Sequence, residues 1–66
     1  MIIKLNDNLH EIAEDTTLEE FVQSLGIQLI GVAIAINNEV ILRRKWSETT
    51  LTDGMTLMMI QAVSGG

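Results

Sequence analysis

The sequence contains no cysteine, no proline and no tyrosine, and it has one histidine, one tryptophan and one phenylalanine. Without cysteine there is no disulfide and no thiolate metal site, and His10 alone does not make a zinc centre. A chain of 66 residues buries only about 60% of the surface that it exposes when unfolded, so its stability has to come from packing. An apolar content of 47% is typical of one packed domain and not of a disordered chain.

Basic residues are also scarce. The chain has four basic and nine acidic residues, which gives a net charge of −5. An acidic protein repels phosphate backbones, and the triplet 43–45 is too short to reverse this, so we expect no nucleic-acid binding. The acidic residues are concentrated in the first half of the chain, where they either steer the protein toward a basic partner or keep it soluble.

No apolar run is long enough to cross a membrane. The longest one extends from Leu29 to Ile36 and is interrupted by Gly31, whereas a helical span needs roughly 20 residues. Met1 is followed by Ile2, Ile3 and Lys4 without the pattern of a secretory signal. The absence of cysteine fits a reducing compartment, so we expect a cytoplasmic protein with no membrane partner.

The first half of the chain predicts a hairpin and a helix. Residues 1–6 alternate between the two faces of a strand, Asp7-Asn8 is a turn pair, and residues 9–13 fit a second strand. Thr17-Leu18-Glu19-Glu20 matches the capping box, and Gly26 suits the position after a helix end. Between them, apolar residues recur at helical spacing, so the helix is predicted over 18–25: Leu18, Phe21, Val22 and Leu25.

The second half predicts three more strands. They cover residues 32–36, 39–42 and 55–63, separated by an Asn37-Asn38 turn and by a Thr52-Asp53-Gly54 turn. Residues 43–50 are predicted to be irregular, with a short helical turn near residues 45–46. The order β-β-α-β-β-β indicates an α+β domain over 1–63, a mixed four- to five-stranded sheet with one main helix on one face, followed by a flexible tail at 64–66. The predicted core is Ile3, Leu5, Leu18, Phe21, Val22, Leu25, Ile34, Ile36, Leu57 and Met59.

Motifs for catalysis are missing. There is no nucleophile motif, no phosphate-binding loop and no dinucleotide fingerprint. His10, among polar neighbours in a strand, is best interpreted as a surface histidine. Trp46 beside the basic triplet either stacks on a ligand or, as is more common for a lone tryptophan, caps the edge of a small core.

The C-terminal segment is the most informative part of the chain. Ser64, Gly65 and Gly66 end the sequence, and a tail of glycines enters channels that are too narrow for any side chain. It also brings a terminal carboxylate close to the reacting groups of another enzyme. A frayed end is the alternative interpretation.

The last predicted strand is apolar on both faces. Leu57 and Met59 share one face, and Met58, Ile60 and Ala62 share the other. One short helix covers only one face, so we predict that Met58, Ile60 and Ala62 are exposed and contact partners. The alternative is that the segment 43–52 covers part of this surface.

Several segments together are similar to a known family. They are the opening strand with Asn6, the helix entry 17–20, the Ala-x-Ala strand in 32–37, the Arg-x-x-Trp step of 43–46, the Asp53-Gly54 turn and the ending 60–66. With them the whole chain resembles the ubiquitin-like β-grasp proteins, and among these the ThiS family of sulfur carriers in bacterial thiamine biosynthesis. The Arg-x-x-Trp and Ala-x-Ala elements favour this family over the small subunit of molybdopterin synthase, which shares the fold and the tail.

The resemblance implies a carrier and not an enzyme. An adenylating enzyme of the ThiF/MoeB type would activate the Gly66 carboxylate with ATP and Mg²⁺, which this chain itself would not bind. Sulfur from a donor such as a cysteine desulfurase would then form a terminal thiocarboxylate, and a thiazole synthase of the ThiG type would use that sulfur for the thiazole of thiamine. The alternatives are a molybdopterin-synthase-type carrier, a ubiquitin-like protein modifier and a plain binding module.

Overall fold

A computed structural model describes residues 1–61. Five strands form one mixed sheet in the order β2-β1-β5-β3-β4. The central pair β1 and β5 is parallel, and the other neighbouring pairs are antiparallel. This confirms the predicted mixed sheet with one main helix. The elements are β1 (Ile2–Leu5), β2 (Asn8–Glu11), α1 (Leu18–Ser24), β3 (Val32–Ile36), β4 (Glu39–Ile41), a 3₁₀ helix (Arg43–Glu48) and β5 (Thr56–Gln61).

The helix α1 begins and ends at its sequence signals. The Thr17 hydroxyl accepts a hydrogen bond from the Glu20 N–H, and the Glu20 carboxylate accepts one from the Thr17 N–H, which completes the capping box. Leu25 is the C-cap, and Gly26 follows it with φ of 68°. The helix is therefore confirmed, one residue shorter than predicted.

The first hairpin turn lies one residue earlier than predicted. Asn6 and Asp7 have φ of 47° and 70°, and Leu5 pairs with Asn8, which already belongs to β2. The prediction of an Asp7-Asn8 turn is wrong because Asn8 is already paired with Leu5, so the two positive-φ positions of the two-residue loop fall on Asn6 and Asp7. Both residue types tolerate this conformation. The second turn, at Asn37 and Asn38 with φ of 51° and 70°, is where the sequence predicts it.

The core lies between α1 and one face of the sheet. Eight of the ten predicted core residues are buried, whereas Leu25 and Met59 are only partly buried at its margin. Trp46 and Leu51 are buried as well, and the prediction did not include them. Among residues 1–61, the cluster of buried core residues is Ile3, Leu5, Leu18, Phe21, Val22, Ile34, Ile36, Trp46, Leu51 and Leu57.

The segment that follows β4 is more regular than predicted. It forms the 3₁₀ helix, which packs beside α1 and places Trp46 in the core. The indole N–H of Trp46 donates to the Ile41 carbonyl at 3.0 Å. Next to it, backbone hydrogen bonds from Leu18 to Thr49 and from Leu51 to Thr16 join this segment to the start of α1. The segment therefore completes the helix-side layer.

Candidate functional site: the open sheet face

The strand register defines the sheet face opposite α1. Met58 on β5 lies opposite Ala35 on β3, which in turn lies opposite Val40 on β4, and Ile60 lies opposite Ala33. Paired residues share a face, and these residues alternate with core residues such as Leu57 and Ile34. We call this set, Ala33, Ala35, Val40, Met58 and Ile60, the open sheet face.

Large apolar side chains of this face are exposed to solvent. Met58 is 52% exposed, Ile60 50% and Val40 59%. The structure therefore places Met58 and Ile60 on the uncovered face, as the alternation in β5 predicts. The segment 43–52 lies on the helix side through Trp46 and Leu51, so it does not cover them.

Two residues of the open sheet face, Ala33 and Ala35, have short side chains. Ala35 is only 6% exposed, although it lies on the face opposite α1. Its partners across the sheet, Met58 and Val40, have longer side chains on the same face. Along β3, the short side chains of the two alanines therefore lie beside the larger exposed residues of β4 and β5.

The remaining predicted site residues lie outside the described part of the chain. Ala62 belongs to the predicted partner surface, and Ser64, Gly65 and Gly66 form the predicted tail. All of them follow Gln61, the last residue described in β5. Their predicted roles, including the reaction at Gly66, therefore stay predictions.

The two aromatic candidates for a functional role, Trp46 and His10, pack against other residues of the fold. Trp46 is 1% exposed, and the Arg43 guanidinium lies over its ring at 5.1 Å. This fits the capping of the core and not the stacking of a ligand. His10 is partly buried rather than fully at the surface, because β2 turns it toward α1, where its ring meets Phe21 edge-on at 5.3 Å.

Charged groups in the described residues do not form a reactive cluster. In residues 1–61, no three His, Asp or Glu side chains come together as metal ligands. The pKa of Glu20 is lowered from 4.5 because the Thr17 N–H and then the Thr17 hydroxyl bond its carboxylate. That shift belongs to the helix cap and not to a catalytic acid.

Neither helix within residues 1–61 has the length and apolar character needed to span a membrane.

Comparisons with known proteins agree with one another. The model of the ThiS family matches residues 3–66. The sulfur carrier protein ThiS of Escherichia coli K12 is 30% identical over 66 residues, which cover 100% of both chains. The protein of the same name from Thermus thermophilus is 32% identical over 53 residues, 80% of this chain and 83% of that one.

A solved structure is also similar. The crystal structure of the thiamine biosynthesis protein ThiS from Geobacter metallireducens superposes with a TM-score of 0.85 at 26% identity, and covers 100% of both chains. The solution structure of a thiamine biosynthesis protein from the same organism gives a TM-score of 0.79 at 25% identity, over 100% of this chain and 88% of that one.

Proposed function

The chain belongs to the ThiS family of sulfur carriers, and from this membership we propose that it carries sulfur as a thiocarboxylate on Gly66 for the thiazole of thiamine. The observation that carries the proposal is the family match, which extends through the Gly65-Gly66 ending. The open sheet face supports it, because Met58 and Ile60 lie on the strand that leads to this ending.

The chemistry at Gly66 needs activation first. A carboxylate is a poor acyl donor, so its oxygen attacks the α-phosphorus of ATP and pyrophosphate leaves. A hydrosulfide-equivalent nucleophile then forms a bond to the acyl carbon, AMP leaves, and the product is a thiocarboxylate. ATP and Mg²⁺ belong to a ThiF/MoeB-type adenylating enzyme in this proposal, and the final acceptor is a ThiG-type thiazole synthase. A desulfurase acting on cysteine is the proposed sulfur donor: its persulfide forms an acyl disulfide as AMP leaves, and a thiol reductant then cleaves the S–S bond to leave the thiocarboxylate.

The open sheet face supplies the docking surface in this proposal. Partner side chains pack over Ala33 and Ala35 and contact Met58 and Ile60. Apolar contact at Met58 and Ile60, which precede Gly66 by several residues in the sequence, provides binding energy without using the reacting end. Because methionine adapts to different shapes, one surface can serve the adenylating enzyme and the synthase in turn.

Exchange of radiolabelled pyrophosphate into ATP tests the proposal. We expect the adenylating enzyme to catalyse exchange with the wild-type chain and not with a chain that lacks Gly66. One residue spans at most ~3.6 Å, and the shortened chain would end that far from the reacting phosphate of ATP. Gly65→Val should also block exchange, because its branched side chain widens the tail. Ser64→Ala keeps the length and both glycines, so it is the control and should remain active. Exchange with the chain lacking Gly66 would contradict the proposal.

A further inference from the structure

β5 extends beyond the end of its parallel neighbour. β1 pairs with β5 at Lys4↔Thr56 and Leu5↔Leu57, and the chain then turns away at Asn6 and Asp7. On its other side, β5 stays paired with β3 as far as Gln61. Within residues 1–61, the β1 side of β5 therefore has no strand beside it after Leu57.

One side chain takes the place of the missing strand. The Met59 N–H donates to Oδ1 of Asn6 at 2.9 Å, and Nδ2 of Asn6 donates to the Met59 carbonyl at 3.2 Å. A side-chain amide offers one acceptor and a donor side by side, as a backbone peptide does, so it continues the pairing by one residue. The Asn6 backbone N–H also donates to the Leu57 carbonyl at 3.2 Å. Asn6 thus contacts β5 at two successive positions that face β1.

The place of this contact links it to the function. Met59 lies between Met58 and Ile60, the exposed residues of the open sheet face. Met59 also belongs to the strand from which the sequence continues to Gly66. We propose that Asn6 is a positioning residue for the reaction at Gly66: its side-chain amide clamps β5 at Met59, so that the neighbouring Met58 and Ile60 are presented to partners in one orientation. This inference rests on the proposed function.

A partner that meets a clamped strand does not have to order it. Without the clamp, β5 beyond Leu57 is held on one side only, and part of the binding free energy is spent on ordering the strand. The free energy of ordering β5 is spent on binding, and it is the same in the bound complex and in the transition state. Loss of the Asn6 clamp should therefore raise the KM for the carrier and leave kcat unchanged.

The second hairpin turn offers a matched control. Asn37 occupies the same turn position as Asn6, with φ of 51° against 47°, and its backbone N–H donates to the Thr56 carbonyl at 3.3 Å. Among residues 1–61, however, the Asn37 side chain has no hydrogen-bond partner. Glycine tolerates positive φ, so Asn6→Gly and Asn37→Gly change the two turns alike, and only Asn6→Gly removes the clamp.

Two measurements test the inference. By NMR, the amide of Met59 should exchange with solvent about tenfold faster in Asn6→Gly than in Asn37→Gly, as expected for the loss of two hydrogen bonds. In pyrophosphate exchange with the adenylating enzyme, Asn6→Gly should raise the KM for the carrier about tenfold, with kcat unchanged, while Asn37→Gly keeps both values. Asn6→Asp retains the acceptor and loses the donor, so it should give an intermediate KM and serves as the test variant if Asn6→Gly does not fold.

Other outcomes overturn the inference. Equal exchange of the Met59 amide in the two glycine variants would show that the clamp does not hold β5. Faster exchange with an unchanged KM would show a structural contact without a positioning role, even if the thermal midpoint falls. A wild-type chain that supports no pyrophosphate exchange would contradict the proposed function and the positioning role with it, while the Met59 amide would still report on the clamp.

Discussion

Single buried residues contribute a large part of the free energy of unfolding of this small domain. Trp46 is the largest fully buried side chain, and its indole N–H bonds the Ile41 carbonyl. Truncation of a buried aromatic residue costs about 3–5 kcal/mol. Domains of this size have a free energy of unfolding of only about 3–10 kcal/mol.

Trp46→Ala should therefore remove most of the stability. We expect urea unfolding, followed by circular dichroism, to show a loss of about 3–5 kcal/mol. Leu9→Ala is the control, because Leu9 is 72% exposed and surface changes usually stay within about 0.5 kcal/mol. A loss below about 1 kcal/mol in Trp46→Ala would show that the indole is not part of the core.

The capping box predicts a dependence of stability on pH. The pKa of Glu20 is lowered from 4.5 by its hydrogen bonds to Thr17, so protonation of Glu20 favours the unfolded state. Its stabilising contribution is present above pH 4.5 and disappears as the pH falls through the lowered pKa. Glu20→Gln keeps an acceptor but removes the charge.

Urea unfolding of the wild type and Glu20→Gln at several pH values measures this contribution. The wild type should exceed the variant in stability at pH values above 4.5 and lose that advantage in more acidic solution. Glu19→Gln is the control, since Glu19 is also in the first turn but has no part in the capping box. An advantage that persists or grows toward low pH would contradict the role given to Glu20.

At the scale of elements, a change on the open sheet face should affect partner binding more than folding. Ile60 is half exposed, so Ile60→Asp should leave the free energy of unfolding within about 1 kcal/mol of the wild type. It should weaken binding to the adenylating enzyme by about 2 kcal/mol or more if Ile60 is a central anchor. Calorimetric titration and urea unfolding measure the two effects.

Gln23→Asp is the matched control for Ile60→Asp. It adds the same charge at an exposed residue of α1, on the opposite side of the sheet from the open sheet face. We expect it to bind the adenylating enzyme like the wild type. Equal weakening by both variants would indicate a general effect of charge, and unfolding of Ile60→Asp would show that the two faces of β5 are reversed.

Local signals in the sequence predict most of these elements. The capping box and the spacing of Leu18, Phe21 and Val22 define α1, and alternation in β5 separates Leu57 from Met58. What they do not predict depends on distant contacts. Trp46 and Leu51 have no periodic pattern around them, and their burial follows from packing against α1, so the sequence predicts only a short turn where the 3₁₀ helix lies.

The candidate site shows the same division. Exposure of Met58 and Ile60 follows from alternation and from having one helix to cover two faces. The bonds of Asn6 to Met59 join residues 53 positions apart, and no local pattern indicates them. The sequence carries Asn6 as part of a family resemblance, but only the structure shows that its side chain continues the pairing of β1.

On the scale of the whole molecule, folding and the proposed chemistry depend on different parts of the sequence. The buried cluster lies entirely between Ile3 and Leu57, and the proposed reactive carboxylate is at Gly66. In the proposed function, the net charge of −5 would steer partners at long range, and the apolar open sheet face would contact them closely. Catalytic groups, ATP and Mg²⁺ would then be supplied by the partners.

Sulfur loading at Gly66 can be measured by the intact mass of the chain after incubation with the adenylating enzyme, ATP, Mg²⁺ and hydrosulfide. We expect a mass increase equal to the replacement of one oxygen by sulfur, which fragmentation places on Gly66 and which the chain lacking Gly66 does not gain. Conjugates of higher mass, with Gly66 joined to a lysine, would instead indicate a protein modifier. An unchanged mass, or sulfur located anywhere other than Gly66, would contradict the central claim that this protein carries sulfur on its terminal carboxylate.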